Sequence, residues 1–137
     1  MEIGRSFEKH VKLSREAIVH FADEVGDSNP LHHDDAFAAA TRYGGLIASG
    51  VHPVALLMAY CGSLANELLP GVGVEFTFRL KGPVRPDRRL TLRWEISAVE
   101  PKPKIEGYLV SLRGAVLDED GTELVSADGK TLLSPKI

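Results

Sequence analysis

A change of hydrophobic period near residue 72 constrains the fold of this 137-residue chain more than any other feature. Before it, residues 52–68 are apolar on almost every side of a helix, which is typical of a buried helix. After it, apolar and polar residues alternate along residues 74–81 and again along residues 90–96, as they do in half-buried strands. The pattern predicts an α+β domain in which a sheet wraps one apolar helix.

The other segments complete a sheet of about five antiparallel strands. Residues 5–13 alternate as an N-terminal strand. After the strands at residues 74–81 and 90–96, a third strand of the C-terminal part is expected within residues 108–117 and a fourth at residues 124–133. A hairpin turn at residues 118–121 joins these two strands. Asp128-Gly129 interrupts the last of these strands and predicts a bulge or a second turn there.

Two more helices are predicted before the buried one. Residues 15–25 have helical spacing, with Ser14 placed as the N-cap and Gly26 as the C-cap. An Ala-rich stretch predicts a short helix that is capped by Asp34 or Asp35 and continues to about Arg42.

Composition excludes several classes of function. The length fits a single domain over residues 1–137. A net charge of −3 disfavours nucleic-acid binding, which usually needs a basic face. Cys61 is the only cysteine, so no intrachain disulfide can form.

The first residues lack the layout of a signal peptide, and no apolar stretch is long enough to span a bilayer. We therefore expect a cytoplasmic protein without membrane or nucleic-acid partners.

The segment at residues 26–34, Gly-Asp-Ser-Asn-Pro-Leu-His-His-Asp, is the strongest candidate for a site. A turn at Pro30 can bring the Asp27 carboxylate and the His32 imidazole together. Such a pair around one water can take a proton from the water and return one to a substrate, as hydration of an activated double bond requires. The alternative is that Asp27 and Asn29 only cap and turn the chain, which is the commoner role of such residues.

A metal site is a further alternative for this segment. Four possible ligands lie close together in sequence: His32, His33, Asp34 and Asp35. Adjacent residues rarely converge on one ion, and the chain has no HExxH or CxxC motif. We therefore expect no metal.

The loop at residues 46–50 ends at the start of the buried helix. The backbone N–H of Gly50 would lie at a helix N-terminus, where it could donate to a developing enolate oxygen. The alternative is that Gly50 only permits close packing of the loop.

Basic residues form a second candidate feature. Phosphates of a coenzyme A tail would suit a patch of positive charge, although such residues more often solvate strand ends. The patch comprises Arg79, Lys81, Arg85, Arg88 and Arg89.

Two motifs resemble the MaoC-like dehydratases, which include the R-specific enoyl-CoA hydratases. The first is Gly26-Asp27-x-Asn29-Pro30-Leu31-His32-x-Asp34, and the second, after Gly44, is Ile47-Ala48-x-Gly50. The later Phe76-x-Phe78 and the segment 82–87 also look like the family's strand pair and turn. The resemblance extends from about residue 15 to the end of the chain.

The resemblance implies a hot-dog fold, a long central helix wrapped by an antiparallel sheet, and a homodimer or higher even oligomer. It implies hydration of trans-2-enoyl-CoA to the (R)-3-hydroxyacyl thioester, or the reverse, with an acyl-carrier-protein thioester as a possible substrate. Asp27 and His32 match the acid–base pair, and Gly50 matches the residue whose N–H binds the thioester carbonyl. No cofactor or metal is implied.

Asn29 and Ser49 are the candidate substrate-binding residues. Asn29 would also help to fix the turn. Ser49 departs from the family, because many members carry His at this position, so the substrate range could differ. Two alternatives to the hydratase are a hot-dog acyl-CoA thioesterase and a non-catalytic acyl-binding or partner subunit.

Overall fold

The computed structural model describes residues 1–137 and shows helices packed on one antiparallel sheet. Its regular elements are β1 (Ser6–Lys12), α1 (Arg15–Val25), α2 (Asp35–Ala39), α3 (Val51–Ser63), β2 (Gly71–Leu80), β3 (Arg89–Lys102), β4 (Gly107–Leu117) and β5 (Glu123–Leu133). Short 3₁₀ turns lie at Pro30–His32, Leu64–Asn66 and Pro103–Ile105. No helix is long and apolar enough to cross a membrane.

The sheet has five strands in the order β1-β3-β4-β5-β2, and every neighbouring pair is antiparallel. Its inner face is fixed by the alternation along β3, where Leu90, Leu92, Trp94 and Ile96 are all buried. The Trp94 indole N–H donates to the Leu57 carbonyl of α3 at 2.9 Å and so ties the helix to the sheet. The predicted antiparallel sheet of about five strands is confirmed.

Helix α3 is shorter than the sequence predicted. Leu57, Cys61 and Leu64 are buried, as expected, but the α-helix ends at Ser63 and only a 3₁₀ turn follows. Leu68 lies beyond that turn and is only half-buried. Gly62 has a poor helix propensity, and Pro70 favours extended backbone before it, so the apolar pattern continues further than the helix does. The central helix therefore has 13 residues.

Helix α1 has the predicted bounds and both predicted caps. The Ser14 side chain accepts from the Ala17 N–H at 3.0 Å, and Gly26 is left-handed at φ 76°. Helix α2 ends at Ala39 rather than near Arg42, because the Thr41 hydroxyl donates to the Ala38 carbonyl and closes the last turn.

Strand β5 is continuous where the sequence predicted a bulge or turn. Gly129 pairs with Phe76 of β2 and with Leu112 of β4. A Cβ at residue 129 would lie 2.6 Å from the Phe76 ring, so this glycine makes room for the ring and does not break the strand. The irregularity between β2 and β5 falls instead between Gly73 and Glu75.

Candidate active site

The end of α1 sets the position of Asp27. Its N–H donates to the Ala22 carbonyl at 2.8 Å, which closes the turn after Gly26. Its carboxylate Oδ1 then accepts the Asn29 N–H at 3.2 Å, and the Asn29 side chain accepts the Leu31 N–H at 3.0 Å. These two short-range bonds turn the chain into the 3₁₀ turn that carries His32.

His32 lies against Asp27 inside this turn. Its ring is buried, and its Nδ1 is 2.8 Å from the Ile47 carbonyl oxygen. Because a carbonyl only accepts, Nδ1 carries a hydrogen. The other ring nitrogen, Nε2, lies 3.2 Å from Asp27 Oδ2. This contact is favourable when one proton lies between the two groups, as in a charge-assisted hydrogen bond.

His33, the neighbouring histidine, points elsewhere. Its Nε2 lies 2.6 Å from the backbone carbonyl of Asp27, and its Nδ1 lies 3.7 Å from the carboxylate of Asp23. His33 therefore supports the backbone of the turn, whereas the His32 ring meets the Asp27 side chain.

The four possible metal ligands have separate partners. The rings of His32 and His33 each form a hydrogen bond with a different backbone carbonyl. The Asp34 side chain caps α2 by accepting the Phe37 N–H, and Asp35 forms an ion pair with Arg15 at 2.6 Å. Nowhere in the chain do three His, Cys, Asp or Glu side chains lie close enough together to bind one metal ion.

Ser49 lies behind Asp27. It has no exposed surface, and its hydroxyl donates to Asp27 Oδ2 at 2.5 Å. This hydrogen bond, and after it the Asn29 N–H, lowers the pKa of Asp27 below its usual value. We expected Ser49 to be a substrate-binding residue, but the structure places its side chain on the carboxylate, away from the open cleft.

Gly50 begins α3 and leaves its N–H without a partner in the chain. The first backbone amides of a helix carry partial positive charge, so this N–H is a ready donor for an anionic oxygen. A Cβ at residue 50 would lie 2.8 Å from the Leu80 side chain, so the close approach of β2 favours glycine here.

One open cleft of about 670 Å³ contains Asp27, Asn29, His32 and Gly50. Its walls come from four parts of the chain: the turn after α1, the segment from Arg42 to Pro53 that leads into α3, the connection from β2 to β3, and Val125 of β5. The Ala48 N–H donates to the Val84 carbonyl at 2.9 Å and holds two of these parts together. The structure thus brings four of the five candidate site residues to one cleft, with Ser49 directly behind.

The basic residues do not form the free patch that the sequence suggested. Arg79 pairs with Asp128 at 3.1 Å, and Lys81 pairs with Glu123 at 2.5 Å. Arg88 lies 3.9 Å from Asp118. Three of the five charges are therefore balanced by neighbouring carboxylates.

Arg42 is a cleft residue that sequence reasoning missed. It lines the cleft, stacks over the Tyr43 ring at 5.0 Å and donates to the Tyr43 hydroxyl, and no carboxylate lies within ion-pair distance of it. Arg85 in turn donates to the Tyr43 carbonyl at 2.5 Å. No sequence pattern marks Arg42 as a cleft residue, because it is an isolated charge after a short helix.

The fold and the cleft together define a hot-dog domain with a polar site at the N-terminal end of its central helix. The model of the MaoC-like domain matches residues 2–112, and the chain belongs to this family. It is similar to a UPF0336 protein of Streptomyces avermitilis, with 30% identity over 91% of this chain and 87% of that one.

Several similar proteins have names that state an activity, and two of them are compared with this chain. A 3-hydroxybutyryl-CoA dehydratase of Methylorubrum extorquens is 30% identical over 74% of this chain and 64% of its own length. The crystal structure of the R-hydratase PhaJ1 from Pseudomonas aeruginosa, in the unliganded form, is 27% identical. It matches with a TM-score of 0.82 over 100% of this chain and 84% of that one.

Proposed function

We propose that this protein hydrates trans-2-enoyl thioesters to (R)-3-hydroxyacyl thioesters, or catalyses the reverse dehydration. The observation that carries this proposal is the 3.2 Å contact between the Asp27 carboxylate and the His32 ring in the cleft that also holds the free N–H of Gly50. The R configuration rests on the similarity to the R-hydratase.

The reaction needs one proton to leave water and one to reach carbon. The Asp27–His32 pair takes a proton from the water as the water oxygen bonds to C3, and the electrons of the double bond move to the thioester oxygen. A proton from the pair then reaches C2 as the carbonyl reforms. The pair ends with the number of protons it had at the start, so no cofactor is needed to balance the step.

Gly50 acts on the other half of the substrate. The thioester oxygen gains negative charge in the enolate, and the unpartnered Gly50 N–H donates a hydrogen bond to it. Because this donor is fixed at the start of α3, it stabilises the charge without rearrangement. Asn29 helps to hold the turn and lines the cleft beside the substrate.

The proposed substrate is an acyl-CoA thioester, with an acyl-carrier-protein thioester as the other possible form. Arg42 supports an anionic substrate, since it is a cleft cation with no carboxylate partner in the chain. The phosphates of coenzyme A, or of a carrier-bound phosphopantetheine arm, would supply the negative charge.

We also propose that the chain forms a homodimer through the β2 side of the sheet. This edge strand exposes three apolar side chains, Val72, Val74 and Leu80, and the nearby helix exposes Met58. Exposed apolar edges are usually covered by a partner. Light scattering at micromolar concentration should give twice the mass of the chain, and a monomer would contradict the proposal.

The deciding assay follows loss of the enoyl-thioester absorbance with short, medium and long trans-2-enoyl-CoAs. The expected result is loss of absorbance without release of free thiol, and a product of R configuration at C3. Release of free CoA from saturated acyl-CoA would favour the thioesterase. Binding of acyl-CoA without either reaction would favour a non-catalytic partner subunit.

A further inference from the structure

Ser49 is held in place on the carboxylate that meets His32. Its hydroxyl lies 2.5 Å from Asp27 Oδ2, the same oxygen that lies 3.2 Å from His32 Nε2. Its backbone carbonyl accepts the His52 N–H at 2.9 Å in the first turn of α3. The position of this hydroxyl is therefore set by the start of the central helix, and it has no other acceptor in the chain.

We propose that Ser49 is a positioning residue that keeps Asp27 ionised and aims its Oδ2 at His32. This inference rests on the proposed hydratase function. A hydroxyl that donates to a carboxylate favours the charged form, and the Asn29 N–H on Oδ1 acts in the same direction. His32 Nε2 is the ring nitrogen that faces this carboxylate, since Nδ1–H is committed to the Ile47 carbonyl.

The size of Ser49 suits this role. Ser49 has no exposed surface, and Ile47 and Ala48 before it are also buried, so the space behind Asp27 is filled. Serine is the smallest side chain that can donate a strong hydrogen bond from this position.

Ser49→Ala removes the largest of the causes that hold down the pKa of Asp27. The carboxylate then takes up a proton at a higher pH than in the wild type. The acid limb of the kcat/KM profile should therefore move to higher pH, so that the variant loses more activity in acid than on the plateau. Ser49→Thr keeps the hydroxyl donor, so it should keep the wild-type pH profile, while its added methyl group should lower the free energy of unfolding.

Ser134→Ala is the matched control. Ser134 also has no exposed surface, and its hydroxyl donates to the Ile105 carbonyl at 2.6 Å, far along the chain from the cleft. Ser49→Ala deletes one buried hydroxyl and one hydrogen bond, whereas Ser134→Ala deletes one buried hydroxyl and two hydrogen bonds, because Ser134 Oγ also accepts the Lys136 N–H at 3.0 Å. Thermal unfolding compares the two losses of stability, and only Ser49→Ala should change the pH profile.

A second measurement does not depend on activity. Carbon-13 NMR of labelled aspartate carboxyl groups follows the titration of Asp27, which is assigned by its loss in Asp27→Asn. In Ser49→Ala the Asp27 signal should titrate at higher pH, even in a protein that hydrates no thioester. If Ser49→Ala and Ser134→Ala show the same loss of stability while Asp27 titrates as in the wild type, Ser49 has only a structural role and the inference is wrong.

Discussion

The segment at residues 26–50 and the sheet at residues 71–133 are held in place by different kinds of interaction. Backbone ladders join each strand to its neighbours, and alternate side chains fill one core, so each contact is one of many. The segment at residues 26–50 depends instead on individual hydrogen bonds made by side chains. Examples are those between Asn29 and Leu31, His32 and Ile47, and Ser49 and Asp27. The sheet therefore has many interchangeable contacts, whereas the site depends on a few individual hydrogen bonds.

The same contrast is visible in the titratable groups. Cys61 lies in the core without a hydrogen-bond partner, and burial raises the pKa of its thiol to about 11. Asp27 is partly buried too, but the donors around it lower the pKa of its carboxyl. Burial alone disfavours the charged form of a titratable group. In the segment at residues 26–50, the Ser49 hydroxyl and the Asn29 N–H outweigh this effect for Asp27.

The largest effect is expected from the acid–base pair. Asp27→Asn and His32→Ala should each lower the hydration rate by about a hundredfold or more, because each removes a proton-transfer group. Both variants should fold, since these side chains lie in a loop and outside the sheet, and circular dichroism checks this.

His33→Ala is the comparison for His32→Ala, because the two histidines are adjacent and only the His32 ring meets the Asp27 side chain. It should cost stability of the turn and leave a clearly higher rate than His32→Ala. A near-native rate in Asp27→Asn or His32→Ala on the best substrate would remove the pair from the mechanism.

Sequence reasoning worked best where the structure is redundant. The sheet followed from the period of two, and the bounds of α1 followed from the Ser14 and Gly26 caps. The early end of α3 was missed, because apolar residues continue through the 3₁₀ turn and to Leu68. The helix was predicted from its pattern of apolar residues, which indicates which side chains are buried. This pattern does not indicate where the α-helical backbone hydrogen bonds end, so it could not locate the last turn.

The site was predicted less completely, for a similar reason. The motif spacing placed Asp27, His32 and Gly50 together, but the direction of a side chain in a loop depends on contacts far away in sequence. The Ser49 hydroxyl donates to the carboxylate of Asp27, 22 residues earlier in the chain. Arg42 contacts the Tyr43 ring and has no carboxylate within ion-pair distance. No local pattern encodes either result.

The second effect concerns the backbone donor of the loop segment. Gly50→Pro removes the N–H, and the φ of −57° at this residue already suits proline. Loss of one such donor typically costs about 3 kcal/mol, so kcat should fall by roughly a hundredfold.

Gly50→Ala separates the donor from the side chain. It adds the same Cβ next to the end of the Leu80 side chain, which must shift in both variants, but keeps the N–H. The difference in kcat between the two variants therefore measures the donor. Equal rates would show that another group holds the carbonyl oxygen.

A smaller effect is expected from Arg42, at the rim of the site. Arg42→Gln should raise KM for an enoyl-CoA a few-fold, as for an exposed charge contact. The KM for the corresponding N-acetylcysteamine thioester, which has no phosphate, should not change. Arg113→Gln is the control, since Arg113 is also an exposed guanidinium without an ion pair but lies outside the cleft. An equal rise in KM for both thioesters would argue against phosphate recognition.

The smallest effect on the rate should come from the sheet. Ile96 is fully buried in β3, faces Leu112 of β4 across the ladder and does not line the cleft. Ile96→Ala should lower the free energy of unfolding by about 2–5 kcal/mol, and Ile96→Val by about 0.5–1.5 kcal/mol. Both should keep kcat close to wild type while they remain folded, because the bonds that aim Asp27 and His32 all lie within residues 22–49. Unfolding must be compared at one protein concentration, since dimer formation would add to the stability. A folded Ile96→Ala variant whose kcat falls as far as that of Asp27→Asn would show that the sheet controls the site directly, and the contrast between the two regions would then not hold.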